Sequence, residues 1–372
     1  MIVTFPHMGN TYVCIKALLD DLKIKYIIPP FPNKRTLEIG TRHVPEGACL
    51  PLKITVGSLI QGYELGADIH LMLGAWGPCR FGYYCQMQRE ILHNSGYPMD
   101  TIILEPCREG LGELGRRIRR LAGGRFPVLK VLKALWDVPV IAVRTDKLER
   151  LYYRVMAMEL SHGGAEAIYS GFQRSVLETK SARQIKGLLR RTRKKLLAVE
   201  IDSKVRPLRI GIVGEIFGTI DPWTNLRLQS RLGRMGIESE RLVTVSEWIV
   251  EKMIKKALHI PQRMAYARAA KPYVKTDIGG HTQETIGHTV LHARQGYDGI
   301  IQIYPLGCMP EIVAQAMLPT VSREQDIPVL TLIIDEMTGE AGYMTRVEAF
   351  VDLLRQRRRA ASSDTIPLGE YA

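Results

Sequence analysis

Three cysteines share one local setting. Cys49 stands in Gly47-Ala-Cys-Leu-Pro-Leu52, Cys79 in Gly77-Pro-Cys-Arg-Phe-Gly82 and Cys308 in Pro305-Leu-Gly-Cys-Met-Pro310. Each has a glycine one or two residues before it and a proline adjacent or next but one. Proline suits the first turn of a helix, so each cysteine reads as the start of one. A thiolate at a helix N-terminus is stabilised by unpaired N–H groups and the macrodipole, which lowers its pKa. Glycine-rich turns also let backbone N–H groups approach an anionic cluster. A single cysteine in isolation is more often a small core residue. Three in the same Gly–Cys–Pro setting favour metal or redox use. No Cys-x-x-Cys pair is present, so a zinc ribbon and a ferredoxin pattern are excluded. Cys107, in Glu105-Pro-Cys-Arg-Glu-Gly110, is a candidate extra ligand, with core packing as its equal alternative. Cys14 and Cys85 fall within helical patterns and read as packing residues. Arg80 directly follows Cys79 and would offset a negative cluster or hold a phosphate, against the alternative of a plain surface arginine.

The elements that must position these residues alternate strand and helix. In the N-terminal part, strands are expected at Ile2–Phe5, Ile24–Ile28, Ile69–Leu73 and Thr101–Leu104, with helices at Thr11–Leu22, Pro51–Leu65 and Phe81–His93. Such spacing argues a parallel, doubly wound sheet. From Leu111 to Val205 helical periodicity dominates, with one expected break at Asp137-Val-Pro-Val140. The strand–helix pattern restarts at Arg206-Pro207. Strands are expected at Leu208–Val213, Arg241–Val245, Gly299–Tyr304 and Val329–Ile334, and helices at Leu226–Leu232, Gln283–Arg294, Pro310–Leu318 and Thr345–Arg359. Thr224 or Asn225 is the expected N-cap of the first of these helices. The fold class is therefore α/β: two doubly wound parallel-sheet (Rossmann-like) domains with a helical middle segment. The expected division is 1–110, 111–205 and 206–359, followed by a flexible tail over 360–372. Loops at the carboxyl ends of parallel strands are where open α/β sheets bind ligands, so thiolates from two such sheets can meet in one cleft.

The 372 residues are too many for one ordinary core. The mix of 46% hydrophobic and 24% charged residues excludes wholesale disorder. No run of apolar residues is long enough to span a membrane, and the start Met1-Ile-Val-Thr-Phe-Pro-His7 lacks a basic leader, so a cytoplasmic protein is expected. The formal net charge of +13 suits an acidic protein partner, a phosphate-bearing ligand or nucleic acid. Between Arg183 and Lys195 seven basic residues face away from the apolar stripe of Ile185, Leu189 and Leu196. A solvated face is the ordinary reading. Docking of an acidic activator or a CoA phosphate are the functional ones. Nucleic-acid binding is disfavoured, because aromatic interleaving and an RNA-binding motif are both missing.

Asp335 and Glu336 follow a strand, where paired carboxylates can trade a proton, although a loop salt bridge is favoured; Arg346 and Glu348 are expected as structural partners nearby. His281, Glu284 and His288 share one helical face, and solvated polar residues are favoured over a metal trio. Asp277-Ile-Gly-Gly280 is a weak match to a phosphate loop and reads better as a loop leading into a helix. No P-loop is present, which argues against direct ATP use of that kind.

The runs Cys49-Leu-Pro-Leu-Lys53, Gly66-Ala-Asp68 and Gly77-Pro-Cys-Arg-Phe-Gly-Tyr-Tyr84 resemble the 2-hydroxyacyl-CoA dehydratase D-component family. So do Gly211-Ile-Val-Gly-Glu-Ile216, Asp221-Pro-Trp-Thr-Asn225, Pro305-Leu-Gly-Cys-Met-Pro-Glu311, Asp335-Glu-Met-Thr-Gly-Glu340 and Thr345-Arg-Val-Glu-Ala-Phe350. The nearest branch is that of CoA protein activases, the proteins associated with acyl-CoA dehydratase activases. The resemblance covers both α/β parts and is weakest in the helical middle. It implies an oxygen-sensitive [4Fe–4S] cluster held between two α/β domains, with a double-cubane cluster in a sister branch. Cys49, Cys79 and Cys308 become the implied ligands, with Cys107 open as a fourth. The implied activity is anaerobic reductive or radical chemistry on an acyl-CoA or small molecule, as a dehydratase-like lyase subunit or a reductase. The implied partners are an ATP-dependent activator of the actin-like ATPase superfamily and a related subunit or a second copy of the chain. The alternative is a noncatalytic electron relay or scaffold for an activase.

Overall fold

The structure, a computed structural model, describes residues 1–73, 80–104, 116, 117, 119, 128–255, 264–276 and 278–363. The first sheet is parallel, in the order β1-β2-β3: β1 (Val3–Thr4), β2 (Ile69–Leu73) and β3 (Asp100–Leu104). Helices α1 (Thr11–Asp21), α2 (Lys34–His43), α3 (Leu50–Glu64) and α4 (Tyr84–Asn94) accompany it. The strand expected at Ile24–Ile28 is reduced to a single parallel bridge between Val3 and Tyr26. The cause is local: β1 is two residues long, and Pro29-Pro30 has no N–H to extend a ladder.

The polar stretch before Cys49 holds α2. A capping box starts that helix: Thr36 N–H donates to Asn33 Oδ1, and Asn33 N–H donates to Thr36 Oγ1, each at 3.2 Å. Gly40 of α2 lies against the backbone of α3. A Cβ there would sit 1.8 Å from the Lys53 carbonyl oxygen, so only glycine permits the crossing.

The helical middle consists of α5 (Val128–Met156), α6 (Gly164–Glu178) and α7 (Ala182–Leu197). The break expected at Asp137–Val140 is absent: α5 runs through Pro139. Lys186 of α7 donates to both carboxylate oxygens of Asp137 (2.9 and 3.0 Å), which fixes α7 across that turn. The predicted stripe of Ile185, Leu189 and Leu196 is buried, in a core shared with Val13 and Ala17 of α1 and Ile141 and Leu148 of α5. Ile216, Ile220 and Val245 from the second half join the same core.

The second sheet is also parallel, in the order β5-β4-β6-β7: β4 (Leu208–Gly214), β5 (Ile237–Arg241), β6 (Gly299–Pro305) and β7 (Val329–Ile334). Every residue of β6 is buried, as expected for a central strand covered on both faces. The longer α-helices are α8 (Ile216–Ile220), α9 (Leu228–Arg234), α10 (Ala265–Ala270), α11 (Thr282–Arg294), α12 (Met309–Glu324) and α13 (Glu340–Ser363), and a single α-turn at Val245–Glu247 leads into a π-helix at Trp248–Lys255. The strand expected over Arg241–Val245 lies earlier and ends at Arg241. The expected helix at Leu226–Leu232 starts two residues late, since Leu226 and Arg227 both have positive φ. Its N-cap is therefore Arg227 rather than Thr224 or Asn225, although Asn225 Oδ1 accepts from Leu228 N–H at 3.3 Å. The expected helix at Pro310–Leu318 continues through Pro319. Residues 360–363 are helical rather than part of a tail, and 364–372 lie outside the described residues. No described helix is long and apolar enough to cross a membrane.

Candidate functional site

Cys49 and Cys308 both stand at the start of a helix. Cys49 is the N-cap of α3, and Cys308 is the N-cap of α12. Both have extended backbone (φ −69°, ψ 153° and φ −74°, ψ 96°), and each is followed two residues later by a proline. Neither side chain caps the first-turn N–H groups of its helix. The Cys49 sulfur contacts the hydroxyl of Tyr84 at the start of α4. Cys308 sits in a turn closed by its own N–H donating to Pro305 O (3.0 Å), with Gly307 at φ +77°. The expectation that each cysteine opens a helix therefore holds for both.

The two helix starts lie at one interface. One turn beyond Cys49, the ammonium of Lys53, 2% exposed, pairs with Glu336 just after β7 and donates to Glu46 O (3.0 Å). Leu50 and Ile54, on the same turns of α3, pack into the core of the second sheet with Ile303 and Ile334. The Cys308 loop is bonded to the Glu336 loop's strand, with Leu306 N–H donating to Ile334 O at 2.9 Å. The favoured loop salt bridge is thus Glu336 with Lys53. Asp335 instead closes its own turn, accepting from Met337 N–H (2.9 Å) and Thr338 Oγ1 (2.8 Å). Arg346 donates to Thr331 O on β7 (2.6 Å).

Beneath the Cys308 loop lies a buried group of acids and one imidazole, of which the sequence pointed to His281 and Glu284 but not to Glu215 or Glu311. Glu311, on the first turn of α12, is fully buried. Its carboxylate accepts from Thr285 Oγ1 (2.9 and 3.0 Å) and Gln302 Nε2 (2.9 Å), and burial pushes its pKa up to about 7. Glu215 caps α8, accepting from Phe217 and Gly218 N–H (2.9 and 2.8 Å), and burial raises its pKa too. His281 pairs with Glu284, which also accepts from Tyr266 Oη at 2.9 Å. Burial opposes the charge on His281, but Glu284, Glu215 and Glu311 outweigh it and lift its pKa to about 9.

The solvated face expected for His281, Glu284 and His288 is therefore wrong. All three are largely buried, because α10 and α12 cover that side of α11. His288 packs on Tyr266 with ring centroids 5.0 Å apart. Gly279 and Gly280 lead into α11 as expected, whereas Asp277 lies outside the described residues. Gly280 (φ +60°) abuts Pro310, where a Cβ would lie 2.5 Å from Pro310 Cγ. Gly280→Ala is expected to cost about 2 kcal/mol, from the left-handed backbone and the clash together. An unchanged thermal midpoint in that variant would refute this contact.

Cys79 and Cys107 lie outside the described residues, as does the Arg80 side chain; the Arg80 backbone opens a short 3-10 turn, Arg80–Tyr83. Cys14 and Cys85 are buried, in line with their reading as packing residues, and burial pushes the Cys14 thiol up to about 12. Among the described residues no three His, Cys, Asp or Glu side chains converge as a metal site. Lys186 is engaged with Asp137, while Arg183, Arg190, Arg191, Arg193, Lys194 and Lys195 of α7 are exposed.

The missed residues carried weak signals. Lys53, Glu215 and Glu311 all sit inside the runs noted above, but a lysine or glutamate there looks like any surface charge until its neighbours are known. No protein-family model matches the chain, and no curated protein matches it significantly.

Proposed function

We propose that the chain is the iron–sulfur redox member of a two-component system of the 2-hydroxyacyl-CoA dehydratase type. In this reading Cys49, Cys79 and Cys308 hold a [4Fe–4S] cluster, with Cys107 as the candidate fourth ligand and Arg80 beside it. An ATP-dependent activator of the actin-like ATPase superfamily supplies low-potential electrons, for reductive or radical chemistry on an acyl-CoA or small molecule. The observation that supports this most is the pair of cysteine N-caps, one from each α/β part, flanking the Lys53–Glu336 contact.

The donor chemistry suits such a group. The first-turn N–H groups of α3 and α12 point towards the cysteine ends of their helices and favour thiolate over thiol. When bound, such a cluster supplies one-electron transfer. The chain's own residues do the rest. Lys53 and Glu336 hold the two α/β parts in register at the carboxyl ends of their strands. Glu311, with a carboxyl poised near neutrality, holds a proton three residues from Cys308. Thr285 and Gln302 fix the orientation of that carboxyl.

Iron and acid-labile sulfide per chain, measured after strictly anaerobic purification, test this reading. About four irons per chain are expected, or roughly eight for a double-cubane cluster. Cys49→Ser, Cys79→Ser and Cys308→Ser should each remove most of the iron while leaving a soluble fold. Iron content unchanged in those variants, or no iron even after reconstitution, would sink the ligand assignment. A change in the EPR spectrum on adding an acyl-CoA would support an enzyme. No response to any acyl-CoA or small ligand would leave the protein a noncatalytic relay.

A further inference from the structure

The amino edge of the second sheet carries a second concentration of chemistry. It is set apart from Cys308 by the length of the strands, roughly 23 Å for the seven residues of β4 at ~3.3 Å each. A cleft of about 450 Å³ opens there, between the start of β4, the start of β5 and the last turns of α13. Four arginines line it: Arg206, Arg355, Arg358 and Arg359. Val205 and Met235 are part of its apolar wall.

The four guanidiniums are not equivalent. Arg358 is fixed in the wall: it grips Asp298 through Nη2 (2.7 and 2.8 Å) and donates from Nη1 to Arg206 O (2.8 Å). Arg355 reaches Asp352 (3.2 Å) and Met235 O (3.3 Å). Arg206 and Arg359 are exposed, and among the described residues neither side chain has an ion pair or hydrogen bond. Among the described residues the cleft's four arginines thus meet two partner carboxylates, Asp298 and Asp352. Basic residues near the end of α13 also oppose the negative end of its dipole. That accounts for arginines on the helix, but not for Arg206 just before β4 or for the apolar wall between them.

We propose that this cleft binds a nucleotide, with its phosphates bridging Arg206 and Arg359 and its base against the apolar wall. Planar guanidiniums match phosphate oxygens bidentately and also stack on a base. The volume suits a ligand of this size. Arg358, already held by Asp298, sets the rim without needing to move. The site is independent of the cysteines and stands or falls without them.

Calorimetric titration of the 372-residue chain with ATP, and separately with inorganic tripolyphosphate, tests the assignment. Saturable ATP binding at one site is expected, weakening as salt rises, with tripolyphosphate clearly weaker. Arg206→Gln with Arg359→Gln should lower ATP affinity at least about tenfold, the loss of charge-assisted hydrogen bonds. Lys194→Gln with Lys195→Gln, on α7, should not change it. Amide exchange in the wild-type chain should slow around 205–207 and 235–237 when ATP is added. Absence of saturable binding, an unchanged affinity in the arginine variant, or an equal loss in the lysine variant would overturn the site. Equal affinity for tripolyphosphate would overturn its assignment to a nucleotide.

Discussion

Replacing Arg241 by methionine is expected to destabilise the protein by about 3–5 kcal/mol, the usual consequence of leaving one member of a buried ion pair without its partner. Arg241 ends β5 and is 7% exposed; its partner Glu149 on α5 is 5% exposed. The guanidinium pairs with Glu149 and also donates to Thr219 O and Gln229 Oε1, both at 3.3 Å. It therefore joins the second sheet, α9 and the end of α8 to the helical middle. Burial already raises the pKa of Glu149 despite the arginine, and the nearby Asp146 adds to the effect. Without Arg241 that carboxyl must take up a proton or drag water into a core shared with Tyr153 and Ile220. Urea unfolding of R241M, Glu149→Met and the double variant forms the cycle that checks this. The double variant should recover most of the loss, because two apolar chains replace the pair without a stranded charge. A single variant within about 0.5 kcal/mol of the wild type, the range of ordinary surface changes, would show that the pair holds nothing together.

What the sequence could reveal depended on how local each cause was. The strands Ile69–Leu73 and Val329–Ile334 have the bounds expected, because short, mainly apolar runs ended by loop residues specify a strand without outside help. Helix α2 escaped notice since its composition is polar, although the Asn33–Thr36 capping box was there to read. Pro139 looked like a break, but the packing of α1 and α7 along α5 outweighs one missing N–H. The cysteine N-caps were legible for the same local reason as the strands: glycine before and proline after set the turn. The Lys53–Glu336 contact was not legible, since 283 residues separate its partners. Nor was the burial of His281 and Glu284. Periodicity put them on one face of α11, but only α10 and α12 decide whether that face meets water.

The buried acid beneath the Cys308 loop should give the protein a stability that falls as pH rises, and Glu311→Gln should remove that component. Glutamine keeps an oxygen to accept from Thr285 and Gln302, so the variant is close to isosteric and carries no charge. In the unfolded chain the carboxyl ionises near its ordinary value of 4.5, whereas in the fold burial holds its pKa near 7. Below the lower value both states bind the proton, and wild type and variant should unfold alike. Between the two, only the folded protein keeps it, so raising the pH favours the unfolded state until the folded carboxyl also ionises. By pH 8 the wild type should have lost about 3 kcal/mol relative to the variant. His281 and Glu215 face the same carboxyl and titrate in both proteins. Their contributions fall with pH in the same direction, so only the difference between the two proteins isolates Glu311. Denaturant midpoints measured across this pH range decide the matter, and parallel curves for wild type and variant would mean that Glu311 titrates in the fold as it does in the unfolded chain, and so is ionised at neutral pH. That outcome would also deny it the proton it is proposed to hold beside Cys308, which ties this measurement to the chemistry of the site as well as to its stability.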